Sequence, residues 1–163
     1  MPTTREEAFE ALFSMRPAKV FLDSYRMKIL PENLDFYFGP PDEFFIEPEA
    51  QELYTGNYLI PILDDGNFDL IIFLDPATRE IIEMDIESPY EYRTVFKSWQ
   101  QYLASLMMRI REGVDEDERV IRMAHLIGFE YLEELFSHFT QTAKLQSDAW
   151  QEAQDRFIAD IPA

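Results

Sequence analysis

The sequence predicts an α+β protein: an antiparallel sheet with a central three-strand meander, packed by helices and followed by a C-terminal helical extension. The first observation is that residues 58–87 contain three apolar runs separated by two turn signals, which is typical of consecutive antiparallel strands. The second is the helical spacing of apolar residues before and after this stretch. The third is size, because 163 residues, of which 47% are hydrophobic, suffice for a substantial core.

Two turns define the meander. Asp65-Gly66-Asn67 predicts the first turn, since Gly and Asn tolerate the positive φ of tight hairpins, and Asp75-Pro76 begins the second. The run between them, Leu70–Leu74, does not alternate between apolar and polar residues, so we expect both faces of this strand to be buried. Pro61 cannot donate a ladder hydrogen bond, so the first strand is predicted to be an edge or to carry a bulge.

The third run alternates along the chain. Ile82, Met84 and Ile86 fall on one face of a strand, and the other face carries carboxylates, namely Glu83, Asp85 and Glu87. We therefore expect a half-buried strand that shows water a file of three carboxylates. Residues 88–94 are predicted to form an irregular link that contains Tyr90 and Tyr92.

Helices are predicted on both sides of the meander. Thr4 and Glu7 form a capping box for a first helix that ends before Pro17, whereas residues 18–30 fit either a helix or a strand. Ser98 and Gln101 predict a second capping box, at the start of the best amphipathic helix in the chain. Further helical patterns follow, so the chain is expected to comprise an α+β domain over 1–114 and a helical extension over 115–163, packed on the same domain.

The charge of the chain limits its partners. It carries 32 acids and 14 bases, a net charge of −18 that is spread along the whole sequence. Such a chain repels nucleic-acid phosphates and anionic lipid, so we expect neither nucleic acid nor a membrane as partner. A basic protein would be attracted instead. The alternative is that the charge only keeps the protein soluble.

Composition also indicates a compartment. The chain has no cysteine, which excludes disulfides and thiolate metal sites and favours a reducing environment. No window approaches the roughly 18 consecutive apolar residues of a membrane span. The first residues lack the basic start and cleavage site of a signal peptide. We expect a cytoplasmic protein.

Several short motifs occur in a fixed order along the chain: Leu30-Pro31 after a helix, Ile60-Pro61-Ile62, Asp64-Asp65-Gly66-Asn67, Phe73-Leu74-Asp75, and the helix start 98–103. Together they resemble the SUKH superfamily, which includes yeast cell-wall-synthesis regulators and many bacterial immunity proteins. The resemblance covers roughly residues 30–108. The chain departs from it at residues 38–41, where family members often carry an Asn-Gly-Gly type stretch, and after Asp115.

The resemblance implies that the protein binds and neutralises a toxin, often a nuclease or deaminase, as in toxin–antitoxin pairs. Such toxins tend to be basic where they hold their substrate, which agrees with the negative charge of this chain. We expect the contact on the acidic sheet face and its flanks: Asp64, Asp65, Glu83, Asp85, Glu87, Tyr90 and Glu91. The two tyrosines of the link suit the centre of an interface, although ordinary anchoring of the link explains them equally well.

Other functions are open alternatives. A housekeeping adaptor or regulatory protein-binding domain of the same fold would need no toxin. A metal-dependent hydrolase would use Asp64, Asp65 and Asp69 around the first turn, but their spacing does not match a calcium loop. The two histidines, His125 and His138, have no partners at ligand spacing, and no nucleophile or nucleotide motif is present. We therefore predict no catalytic residue, no metal and no cofactor.

Overall fold

The computed structural model describes residues 2–55 and 58–163. The chain divides into two compact units, Met1–Lys97 and Ser98–Ala163. The amphipathic helix after Ser98, which the sequence grouped with the first domain, belongs to the second unit. Compactness does not tell which segments fold alone, so the boundary expected between 114 and 115 stays a prediction.

The first unit contains a four-stranded antiparallel sheet with strands in the order of the chain. The strands are β1 (Ile60–Asp64), β2 (Leu70–Leu74), β3 (Ile81–Asp85) and β4 (Arg93–Phe96). β1 is an edge strand, and its register shifts between Pro61 and Leu63, so both consequences expected of Pro61 are confirmed. The predicted α+β class and the meander are confirmed as well.

The fourth strand was not predicted. β4 begins inside the segment expected to be an irregular link and pairs antiparallel with β3. It is four residues long, and three of them are exposed. So short and so exposed a strand leaves no alternation of apolar and polar residues in the sequence, which is why the pattern did not reveal it.

Both faces of β2 are buried, as expected. Ile71 and Phe73 lie on one face with Ile82 and Met84 of β3, and this cluster packs around the fully buried ring of Phe44. The opposite face carries further buried side chains, namely Leu63, Ile72, Leu74, Ile81 and Phe96. The sheet therefore exposes its acids mainly beyond the ends of its strands.

Short helices surround this sheet. They are α1 (Arg5–Ser14), α2 (Lys19–Tyr25), a 3₁₀ helix over Pro31–Phe36, α3 (Asp42–Ile46), a 3₁₀ helix over Pro48–Gln51, and α4 (Glu52–Thr55). The capping box of α1 is confirmed, because Thr4 Oγ1 accepts from the Glu7 amide at 3.2 Å and the Glu7 carboxylate accepts from the Thr4 amide at 3.4 Å. The ambiguous stretch 18–30 contains α2 followed by irregular chain.

Buried Gln51 joins three segments of the first unit. Its side-chain oxygen accepts from the Thr3 amide at 2.7 Å, and its side-chain nitrogen donates to the carbonyls of Thr3 at 2.8 Å and Phe44 at 3.0 Å. A buried amide stabilises a fold only when its donors and acceptors are satisfied. Gln51 therefore fixes the chain before α1 and the end of α3 together.

The second unit is helical. It consists of α5 (Trp99–Gly113), α6 (Asp117–Ile127), α7 (Leu132–Thr142) and α8 (Ser147–Asp160), whose apolar faces share a core. Ser98 caps α5 by accepting from the Gln101 amide at 3.2 Å, as predicted. The Gln101 side-chain nitrogen donates to the carbonyl of Ile161 at 2.8 Å and so holds the chain at the end of α8. Within the described residues, none of the helices has both the length and the apolar character needed to cross a membrane.

Replacing Phe44 by Ala tests the importance of the cluster on the first sheet face. Phe44 is fully buried and its ring lies 5.0 Å from Phe68 and 5.6 Å from Tyr54, so the variant leaves a cavity. We expect the free energy of unfolding to fall by about 3–5 kcal/mol in urea denaturation. Phe36→Ala is the matched control, since Phe36 is 71% exposed, and it should change the free energy by less than about 0.5 kcal/mol. An equal decrease in the free energy of unfolding of both variants would contradict the central place of Phe44 in this core.

Candidate functional site

The turn between β1 and β2 is built by its own carboxylates. Asp64 Oδ1 accepts from the Gly66 amide at 2.9 Å, and Asp65 Oδ1 accepts from the amides of Asn67 and Asp69, both at 3.1 Å. Short acids favour turns because they bond nearby backbone amides in this way. These bonds hold the turn in shape and leave the Asp69 side chain exposed.

Gly66 brings this turn against the 3₁₀ helix over Pro31–Phe36. Its φ is +92°, and a Cβ atom placed on it would lie 2.8 Å from the carbonyl oxygen of Asp35 and 2.9 Å from the carbonyl carbon of Phe36. Any other residue would therefore combine backbone strain with a collision against backbone atoms. The glycine thus places Asp35 and Phe36, both exposed, beside the acidic turn.

The link between β3 and β4 lies on the other side of the same turn. The Ile86 amide donates to the Asp69 carbonyl at 2.9 Å, which joins the two segments. Asp85 Oδ1 accepts from the Glu87 amide at 2.8 Å, and the Tyr92 amide donates to the Ser88 carbonyl at 3.0 Å. The link is therefore an ordered turn and not a loose connection.

One end of the sheet thus combines three segments that are distant in sequence. We call it the acidic end and define it by six acids and three aromatic residues: Asp35, Asp65, Asp69, Asp85, Glu87, Glu91, Phe36, Tyr90 and Tyr92. The aromatic side chains are 71%, 78% and 66% exposed respectively, which is high for rings of that size. Acids and exposed rings on one ordered surface are what a protein interface with a basic partner requires.

Tyr90 has an ordered position despite its exposure. Its hydroxyl donates to the Leu53 carbonyl of α4 at 3.2 Å, and the Arg93 guanidinium lies 5.9 Å from the centre of its ring. The contact with α4 agrees with the alternative in which Tyr90 anchors the link. The exposed ring remains available for contact with a partner at the same time.

The expected file of three carboxylates on β3 is wrong. β3 ends at Asp85, so Glu87 lies in the link beyond the strand. Glu83 is only half-exposed, because its neighbours on the same face, Ile72 and Ile81, are fully buried. The structure therefore brings together Asp65, Asp85, Glu87, Tyr90 and Glu91 of the predicted contact residues, but keeps Glu83 and Asp64 out of this exposed surface.

Asp64 is a buried carboxyl, with 8% of its surface exposed. Its amide donates to the Gly39 carbonyl at 2.8 Å, and Tyr25 donates its hydroxyl proton to the neighbouring Ile62 carbonyl at 2.6 Å. Burial raises the pKa of Asp64 to about 7; the bond from the Gly66 amide opposes this, and the nearby carboxylates of Asp65, Asp42 and Glu43 add to it. The guanidinium of the nearby Arg5 binds other groups: it pairs with Asp42 at 2.9 Å and donates to the Tyr25 carbonyl at 2.7 Å.

A compositional signal for the acidic region is present in the sequence but was missed. No Lys, Arg or His occurs between Lys28 and Arg79. That stretch of 50 residues holds 11 acids: Glu32, Asp35, Asp42, Glu43, Glu47, Glu49, Glu52, Asp64, Asp65, Asp69 and Asp75. The net charge of −18 is spread along the whole sequence, but the bases are confined to the residues up to Lys28 and from Arg79 onward.

The positions of the acids and histidines bear on the metal and catalytic alternatives. Across 2–55 and 58–163, no group of three or more His, Cys, Asp and Glu side chains could hold a metal ion. His138 is buried, pairs with Gln154, and stacks on Phe157 with ring centres 4.6 Å apart, whereas His125 is exposed on α6. The arrangement of His138 is that of a core residue.

Replacing Asp64 by Asn tests its burial. The pKa of this carboxyl is about 7 in the folded protein against an ordinary 3.8, so folding favours its neutral form. The neutral Asp64 carboxyl therefore contributes its full share to the free energy of unfolding below pH 4, and this contribution is lost as the pH rises to 7. We expect the free energy of unfolding of Asp64→Asn, relative to wild type, to increase by on the order of 3 kcal/mol between about pH 4.5 and about pH 8.

The measurement is urea denaturation of both proteins at the two pH values. Asp69→Asn removes an exposed carboxylate of the same turn and serves as the matched control. A difference between wild type and Asp64→Asn that does not change with pH would contradict the burial of a neutral carboxyl. If the free energy of unfolding of Asp69→Asn, relative to wild type, increased equally between the two pH values, burial of the carboxyl would not be the cause of the increase.

Comparison with known proteins adds no family to this description. No family model, no curated protein and no solved structure matches the chain. The resemblance to the SUKH superfamily thus stays a prediction.

Proposed function

We propose that this protein acts in the cytoplasm as an immunity protein of SUKH type. It binds a basic protein toxin, such as a nuclease or deaminase, and blocks the toxin's active surface. The observation that supports this most is the acidic end, where acids from three segments surround exposed aromatic side chains. On this proposal the protein has no catalytic activity, cofactor or metal of its own.

The charges of the acidic end suit the first step of association. Asp35, Asp69, Glu87 and Glu91 are exposed, and the chain as a whole carries a net charge of −18. A basic surface is drawn toward such a region over roughly 8–10 Å at physiological salt, which raises the association rate. Nucleic-acid phosphates are repelled by the same field.

Short-range contacts with a partner require polar atoms that are not used for hydrogen bonds within the fold. The described turns use Oδ1 of Asp65 and Asp85 for backbone amides, which leaves Oδ2 of each for an arginine or lysine of a partner. Phe36, Tyr90 and Tyr92 supply apolar area between the acids. Aromatic residues surrounded by charges are typical of the centres of tight interfaces.

We therefore centre the proposed contact on Asp65, Asp85, Glu87, Tyr90 and Glu91, and add Asp35, Phe36 and Asp69. Asp64 and Glu83 are left out of the direct contact because Asp64 is buried, and Glu83 lies within β3 with one carboxylate oxygen buried. Asp64 instead serves the surface indirectly, since its carboxylate bonds the Gly66 amide at the centre of the turn.

A housekeeping adaptor or regulatory protein-binding domain remains the alternative proposal, and it would use the same surface. The two differ in their genetic context, because an immunity protein is expected next to a gene for a larger protein with a basic C-terminal domain. A metal-dependent hydrolase using Asp64, Asp65 and Asp69 is the weaker alternative, and absence of heat on titration with Mg²⁺ or Ca²⁺ would contradict it.

Capture of the partner tests the proposal. The tagged protein is incubated with lysate of its own strain and washed at low and then high salt, and the bound chains are identified by mass spectrometry. The proposal expects one basic partner that dissociates as the salt concentration rises. Recovery of neutral housekeeping proteins alone would support the adaptor instead.

Reversing three charges of the acidic end should slow binding of the captured partner. In the variant Asp69→Lys, Glu87→Lys, Glu91→Lys, we expect the association rate to fall by about 10- to 100-fold in surface plasmon resonance, with unchanged circular dichroism. The matched control reverses Glu112, Glu133 and Glu152, which are exposed acids of the second unit, and so alters the net charge equally. Equal losses in both triple variants would mean that net charge alone attracts the partner and that the contact lies elsewhere.

A further inference from the structure

The outer edge of β4 is open. The sheet ends with this strand, which pairs only with β3 in the described chain. The Asp85 amide donates to the Tyr92 carbonyl at 3.1 Å, so Asp85 and Tyr92 form a hydrogen-bonded pair. Because such pairs alternate along antiparallel strands, the backbone N–H and C=O of Thr94 point toward β3, and those of Arg93 and Val95 point away from it.

This edge is accessible. Arg93 and Thr94 are exposed, and Val95 is 48% exposed. Among the described residues, nothing bonds the outward backbone groups of Arg93 and Val95. A free edge with unpaired N–H and C=O groups is a template for another strand.

We propose that β4 pairs with β4 of a second copy of this chain, antiparallel and centred on Thr94, so that two four-stranded sheets become one continuous sheet. This proposal does not rest on the toxin-binding function, although Glu91 takes part in both. In this register the outward groups of Arg93 meet those of Val95 in the second copy, twice by symmetry. The central pair, Thr94 with its own copy, is a close pair without backbone bonds, in which threonine side chains contact favourably.

Charge selects this register over its neighbours. With the twofold axis at Thr94, Glu91 in the turn before β4 is brought toward Lys97, which directly follows β4 in the second copy. An axis at Arg93 would oppose two arginines, and an axis at Val95 would oppose Arg93 and Lys97. Like charges directly opposite each other destabilise a sheet, whereas opposite charges stabilise it.

The local charge also favours a second copy over a basic partner at this edge. Between Lys28 and Ser98 the bases are Arg79, Arg93 and Lys97, and two of these three belong to β4 or follow it directly. Two copies, each of net charge −18, repel one another at long range. They meet here at the least acidic segment between Lys28 and Ser98, while a basic strand would meet two cations.

Sedimentation equilibrium over about 1 µM to 1 mM protein tests the pairing at about 0.15 M salt. Wild type is expected to show a concentration-dependent monomer–dimer equilibrium. Val95→Pro removes an outward N–H without disturbing the ladder to β3, and it does so twice per dimer, so dimerisation should weaken about tenfold. Val95→Thr keeps the N–H and is the matched control, with a dimer constant within about twofold of wild type.

A charge exchange tests the register without any change of backbone. Glu91→Lys should weaken dimerisation about fivefold, because the introduced lysine would then oppose Lys97 of the second copy, and the double variant Glu91→Lys, Lys97→Glu should restore it. A monomeric wild type at every concentration would overturn the proposal. So would a dimer that is insensitive to Val95→Pro, or a double variant that folds normally but does not recover.

Discussion

The burial of β2 on both faces is the constraint on which the first unit depends. A strand that is apolar on both sides needs a partner strand at each edge and a cover on each face, and β1, β3 and the cluster around Phe44 supply three of these. The neighbouring strands β1 and β3 must then carry apolar side chains wherever these side chains face the same buried layers as those of β2. Ile81, Ile82 and Met84 of β3 meet this demand, and they leave little of β3 for exposed carboxylates.

The acids of the sheet region are displaced to the turns for the same reason. A charge beside a buried strand costs free energy unless it is paired or neutral, and Asp64 illustrates this because it lies at the end of β1 with a raised pKa. Beyond the strand ends, carboxylates bond the backbone amides of tight turns and remain in contact with water. The acidic end is thus a consequence of how the core is closed, and the recognition proposed for it would exploit that consequence.

Periodicity and turn chemistry predicted most of the fold. The non-alternating run at 70–74, the Asp-Gly-Asn turn and Pro61 each have a local physical cause, so the strands and the edge could be read from neighbouring residues. The exposure of the β3 side chains could not be predicted in this way. Alternation tells which residues share a face of a strand, but it does not tell which other side chains cover that face. Glu83 was assigned to water on alternation alone, although the buried Ile81 two residues earlier points to the same side.

The candidate site was only partly predictable for a similar reason. Asp65, Asp85, Glu87, Tyr90 and Glu91 are close in sequence to the meander, and chain proximity sufficed to group them. Asp35 and Phe36 join them through the approach of Gly66, a contact across 30 residues that no local pattern encodes. β4 was not predicted, although Thr94, Val95 and Phe96 favour strands, because four residues of which three are exposed show no alternation and the pairing with β3 is not encoded locally.

The self-sufficient turns at the acidic end have an evolutionary consequence. Their backbone amides are satisfied by Asp64, Asp65, Asp85 and Ser88, so the shape of the surface does not depend on the side chains of Asp69, Glu87 and Tyr92. Outward positions such as Asp69, Glu87 and Tyr92 can accept substitutions without disturbing the core. Selection can therefore change these outward side chains while the scaffold beneath them is inherited unchanged.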